Sequence, residues 1–209
     1  MGGGCSVVAT SGGRPDIELT EREKALIRRS WKLLCEDSMT MIGGEIFLKI
    51  FELNNEVKAL FPFRDVTGEA LKHDPDFKGH ASRFMQALGA AVDNLDNLRH
   101  SLEPLLSALG KTHTRYTDRG FTPAFFDEFT ASILHVWRER LGRKFTPEVR
   151  AAWLAMVSFI ATAMKDGYRK VRWARVEEGN ERRGSATGPV DRHKFDEEIL
   201  KLMAEKETK

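Results

Sequence analysis

The sequence holds only two cysteines, Cys5 and Cys35. Two cannot build a disulfide framework, and they lack the close pairing of a zinc site. Cys35 falls in a helical pattern and is expected to be a small buried thiol. Charge of one sign is also scarce: 33 basic and 31 acidic residues leave a net +2, with the signs interspersed. A nucleic-acid binder gathers a basic excess on one face, so that class is set aside. No apolar run approaches the ~20 residues that a membrane-spanning helix needs. The N-terminus is glycine-rich, without a basic stretch leading into an apolar one, so no secretory signal is expected. Gly2–Gly4 precede no strand and make no phosphate loop. No nucleophile sits on a sharp turn. Asp93 and Asp96 are separated by Asn94 and Leu95, a solvated corner and not a pair of catalytic carboxylates.

Alternation with period two is missing between residues 19 and 172, and helical periodicity takes its place. Thr20 and Glu23 have the spacing of a capping box. Leu26, Ile27, Trp31, Leu33 and Leu34 follow with helical spacing, and Ile42, Ile46, Phe47, Ile50, Phe51 and Leu53 form a second stretch. Asp74-Pro75, Thr122-Pro123 and Thr146-Pro147-Glu148 read as helix starts. The last two open segments at about 124–141 and 147–172. The expectation is an all-α domain over residues 19–172, with six to eight helices and short connections. Residues 1–18 form a glycine- and serine-containing leader. Residues 173–209 hold a polar linker over 176–190, then a short amphipathic helix around Phe195, Ile199, Leu202 and Met203.

Two histidines stand on apolar faces. Phe77, His80, Phe84, Ala87, Leu88 and Ala91 share one helix face, and Leu102, Leu105, Leu106, Leu109 and His113 share another. Either imidazole alone is explained as a core histidine bonded to backbone carbonyls. Together they also suit the two axial positions of a metal macrocycle. Leu60-Phe61-Pro62-Phe63 makes a dense aromatic turn, Phe84 lies one turn after His80, and Phe125, Phe126 and Phe129 open a long helix. Thirteen phenylalanines against two tyrosines give flat apolar surface with few hydroxyls. An aromatic slot with an imidazole on each side suits haem. His73, His100, His135 and His193 read as exposed or structural, with His73 close enough in sequence to edge toward a haem propionate. Trp137 and Trp153 sit at core spacing.

From Leu19 to Val171 the chain resembles a globin. The resemblance is carried by Ser30-Trp31, by Ile46-Phe47 with Phe51, and by Leu60-Phe61-Pro62-Phe63. It continues in Phe77-Lys78-Gly79-His80, Arg83-Phe84-Met85, and Leu105 with Leu109-Gly110-Lys111-Thr112-His113. It covers about three-quarters of the chain and implies the globin fold and a haem b cofactor (iron protoporphyrin IX). It assigns His113 as proximal iron ligand and His80 as distal histidine. Phe61 would wedge against the ring, with Phe63 beside it, and Arg83 would reach a propionate. Phe84 stands where many globins carry valine and would crowd the distal side. The body is more similar to neuroglobin-like and globin X-like members, in which the distal histidine itself binds iron, so an external gas would compete with His80.

Met1-Gly2-Gly3-Gly4-Cys5-Ser6 fits an N-myristoylation pattern at Gly2, with Cys5 placed for palmitoylation. One acyl chain anchors only marginally and two anchor stably. Arg14 is the leader's single basic residue, so the second signal would be Cys5. The plain alternative is a glycine-rich leader with a chance serine. Globin X-like proteins carry such a leader, and the resemblance implies a lipid anchor at the cytoplasmic face of a membrane, the plasma membrane first among them. Three functions fit one pocket: reversible binding of oxygen or nitric oxide; redox chemistry, as nitrite reduction or electron transfer with an unidentified reductant; and gas or redox sensing through the C-terminal helix.

Overall fold

A computed structural model describes the backbone of residues 19–181 and the side chains of residues 19–171. Gly2, Cys5 and the amphipathic segment at Phe195–Met203 lie outside the described residues. Those described form eight α-helices and no strand. They are α1 Glu21–Leu34, α2 Met39–Leu53, α3 Asn55–Lys58, α4 Gly68–His73, α5 Pro75–Asp93, α6 Glu103–His113, α7 Phe125–Leu141 and α8 Pro147–Glu181. A π-helical turn, Leu98–Leu102, leads into α6, and 3-10 turns at Thr114–Arg119 and Gly142–Lys144 leave α6 and α7.

The helix starts follow from the capping chemistry. Thr20 Oγ1 accepts from the Glu23 amide at 3.3 Å while Glu23 Oε2 accepts from the Thr20 amide at 2.8 Å. Asp74 caps α5 by accepting from the Phe77 amide at 2.9 Å, with Pro75 in the first turn. Thr146 Oγ1 accepts from the Val149 amide. The expectation at Thr122 is corrected in detail. Its carbonyl, not its hydroxyl, accepts from Phe125, and a turn precedes α7 with Ala124 at the cap position. Cys35 is also corrected. It is exposed, because it is the C-cap of α1, where the chain leaves the core face. The last helix runs to Glu181, past the change in composition after Val171. Arginine, alanine and glutamate are good helix formers, so the change in composition does not stop the helix.

Two crossings set the architecture. α2 lies across α5, and α6 lies across α8. In the first, a Cβ on Gly43 would stand 2.6 Å from the Ala81 carbonyl oxygen. Glycine there lets the two backbones meet. Trp31, Trp137 and Trp153 join α1, α7 and α8, with ring centroids 5.3–6.3 Å apart. Trp153 Nε1 donates to Ser30 Oγ at 2.8 Å, and Ser30 is itself bonded to the Leu26 and Ile27 carbonyls. At the surface, the Arg140 guanidinium on α7 donates from Nε and Nη2 to Glu45 on α2 and from Nη1 to Asp37 in the α1–α2 connection. The tryptophan core ties α1, α7 and α8 together, and this fork ties α7 to α2 and to the α1–α2 connection.

Candidate functional site

α5 carries His80 and α6 carries His113, and the two rings are close enough for the charge of one to bear on the other. Both lie deep in the protein, yet each keeps accessible surface, unlike the sealed core residues Trp137 and Trp153. Each therefore keeps open space beside part of its ring, and the space between α5 and α6 is the candidate slot.

The distal wall is aromatic. The His80 ring lies 4.9 Å from Phe47 and 4.9 Å from Phe61, edge to face in both cases. Phe61 stacks on Phe63 at 4.9 Å and 14°. Phe63 is 2% exposed and backs Phe61 from the core side. Phe84 packs on Phe47 at 5.4 Å and on Phe129 at 5.7 Å. The proximal wall is built the same way: His113 meets Phe121 at 5.1 Å and Phe126 at 5.2 Å. α7 supplies a ring to each wall, Phe126 to the proximal and Phe129 to the distal. Phe47 and Phe121 are the residues that sequence reasoning did not assign to the site. Phe47 touches Phe51, Phe61, His80, Phe84 and Phe129. Its i, i+4 pairing with Phe51 was the available signal.

The electrostatics favour neutral imidazoles. Burial, reinforced by the charges of Arg83 and His113, pushes the His80 pKa down to about 3. Burial also lowers that of His113, opposed by its bond to the Leu109 carbonyl. His113 Nδ1 lies 2.7 Å from that carbonyl oxygen, which can only accept, so Nδ1 carries the proton. Nε2 is then left with a bare lone pair and no hydrogen-bond partner among the described residues. Neither nitrogen of His80 has a partner among them. Both rings keep some accessible surface, so these nitrogens are open to a ligand that enters beside them. Among the described residues no three His, Cys, Asp or Glu side chains gather as a metal cage. A metal held here would take one or two imidazoles from the chain and its remaining ligands from a prosthetic group. Haem fits that donor set and the flat aromatic walls.

The other expected residues sort by position. Arg83 is exposed and folds back along α5, its Nη1 3.3 Å from where a Gly79 Cβ would be. Its charge bears on His80 from the exposed side of α5. His73 is exposed and 3.5 Å from Glu69. His100 is exposed, and His135 is 3.5 Å from Arg138. None of these three touches the slot. No helix among the described residues is long and apolar enough to cross a membrane.

Comparison with known proteins agrees with this geometry. A family model described as globin matches residues 44–164. The neuroglobin of Dissostichus mawsoni is 35% identical over 155 residues, 73% of this chain and 94% of that protein. Neuroglobin-1 of Oncorhynchus mykiss is 36% identical over the same length and coverage. Among solved structures, a hexacoordinated haem protein from an anhydrobiotic tardigrade superposes with a TM-score of 0.67 at 25% identity, covering 75% of this chain and 99% of that one. With the described residues folded as this helical frame around the His80–His113 slot, the chain belongs to the globin family.

Proposed function

We propose that this chain binds haem b, with His113 as permanent iron ligand and His80 as a second ligand that oxygen or nitric oxide displaces. The observation that carries this is the pair of neutral imidazoles facing one slot, each with a nitrogen that no protein group satisfies. Bound haem would supply an iron centre for diatomic gases. The chain's own residues orient it: the Leu109 carbonyl fixes the His113 tautomer, and Phe61 and Phe47 hold the His80 ring from two sides. The two cysteines do not form the Cys-x-x-Cys-His motif of covalent haem attachment, which favours the non-covalent b type. Oxidised and reduced absorption spectra test the reading. A low-spin six-coordinate spectrum is expected without gas, turning five-coordinate in His80→Leu. A five-coordinate spectrum that His80→Leu leaves unchanged overturns it.

The Gly2, Cys5 and Ser6 pattern supports a further placement, an acylated leader holding the globin body at the cytoplasmic face of a membrane. Two acyl chains bind stably where one does not. Gly2→Ala should move the protein from the membrane to the soluble fraction of cells. Equal partitioning of variant and parent rules the anchor out. With a membrane address and a two-histidine iron, one-electron exchange with a reductant, nitrite reduction included, is the alternative to gas carriage. A slow rate of autoxidation would favour carriage, and a nitrite-dependent rate in the reduced protein would favour redox chemistry.

A further inference from the structure

The α6–α8 crossing is closer than helix pairs separated by side chains. A Cβ on Gly110 would stand 1.9 Å from the Met164 carbonyl oxygen. A Cβ on Gly167 would stand 1.9 Å from the Ser107 carbonyl oxygen. The two contacts are reciprocal: residues three apart on α6 meet residues three apart on α8, in antiparallel register. At each, a glycine Cα hydrogen faces the partner's carbonyl, the geometry of a weak Cα–H···O bond. No rotamer change can relieve a side chain placed there, since the obstructing atoms are backbone.

The crossing occupies the helical turn that presents His113. Leu109, whose carbonyl holds the imidazole, precedes Gly110, and His113 follows three residues later. Real Cβ atoms essentially never come within 3.0 Å of such an atom, so an alanine at either site must open the crossing by at least 1.1 Å. That displacement would carry the Leu109 carbonyl and the imidazole with it.

We infer that Gly110 and Gly167 are positioning residues for the proximal ligand: their backbone contact fixes the height of α6, and thereby where His113 Nε2 stands relative to His80. The inference rests on the haem-ligation reading above. A ligand pair on one iron tolerates little error in spacing, whereas the fold tolerates small helix shifts.

The test uses the full-length haem-loaded protein, with Gly110→Ala and Gly167→Ala. Both are expected to release ferric haem to a scavenging acceptor about tenfold faster than the parent, the loss typical of disturbed support behind a metal ligand. Both should also show a mixed-coordination spectrum. Ser30→Ala, which weakens the α1–α8 contact far from His113, should lower the Tm while leaving spectrum and release rate unchanged. In a His113→Gly background supplied with imidazole, Gly110→Ala should no longer move the spectrum, because the ligand is not tethered to α6. A parent without a two-histidine spectrum overturns the ligation reading. A two-histidine parent whose glycine variants keep its spectrum and release rate overturns this inference alone. Should the variants fail to fold, hydrogen exchange in the haem-loaded parent decides. Slow exchange across residues 106–110, matching 160–168, is expected, and fast exchange in the former alone overturns the proposal.

Discussion

At the scale of single residues, the site is legible where function and packing leave different marks. His80 and His113 were visible because an imidazole on an apolar stripe is a costly choice for packing alone. Their distinct roles came from the family resemblance and not from the spacing, and only the structure identifies the Leu109 carbonyl, 2.7 Å from Nδ1, as the group that fixes which nitrogen of His113 is bare. Phe47 was passed over because phenylalanine on an apolar face is ordinary, and its five ring contacts join residues far apart in sequence. Cys35 was misjudged because periodicity does not report where a helix ends. Ser30 shows a buried hydroxyl serving as a hub, accepting from Trp153 while donating toward the Leu26 and Ile27 carbonyls. Ser30→Ala would strand the indole N–H in a dry core, a loss of about 1–3 kcal/mol. Chemical denaturation should show a lower midpoint with an unchanged slope.

At the scale of elements, the caps at Thr20, Asp74 and Thr146 could be read from sequence because each uses contacts within four residues. The crossings could not, because they are formed by residues far apart in the chain. Gly43 looked like any helical glycine, yet a Cβ there would stand 2.6 Å from the Ala81 carbonyl and 2.8 Å from Met85 Cγ. Ala81 follows His80, so this crossing seats the distal helix. Gly43→Ala should destabilise the protein by about 1–3 kcal/mol through overpacking, read as a lower Tm. It should also alter the His80-bound fraction, seen in the absorption spectrum. An unchanged Tm would mean that α2 and α5 separate without cost.

At the scale of the whole molecule, the bundle divides into a firm part and a yielding one. The firm part is the tryptophan core of α1, α7 and α8, with α6 pinned to α8. The yielding part is the short stretch of α3, the aromatic corner and α4. Its turns are held by local bonds such as Arg64 N to Phe61 O, and by Lys58 Nζ donating to the Val66 carbonyl at 2.7 Å. The division was only partly legible. The polar, aromatic-rich corner stood out in sequence, but the rigidity of α6 did not, because it comes from two absent side chains.

That division has a kinetic consequence. His80 is held between Phe47, which is 1% exposed and locked in α2, and Phe61, which rides on the corner. For the imidazole to swing clear, Phe61 is the ring with room to yield, being half-buried on a corner of short turns where Phe47 is sealed in a long helix. The waiting time for an open pocket then belongs to that corner and not to the incoming molecule. In stopped-flow mixing, carbon monoxide and oxygen should approach one common ceiling as their concentrations rise. Two different ceilings would mean that the ligand itself forces the pocket.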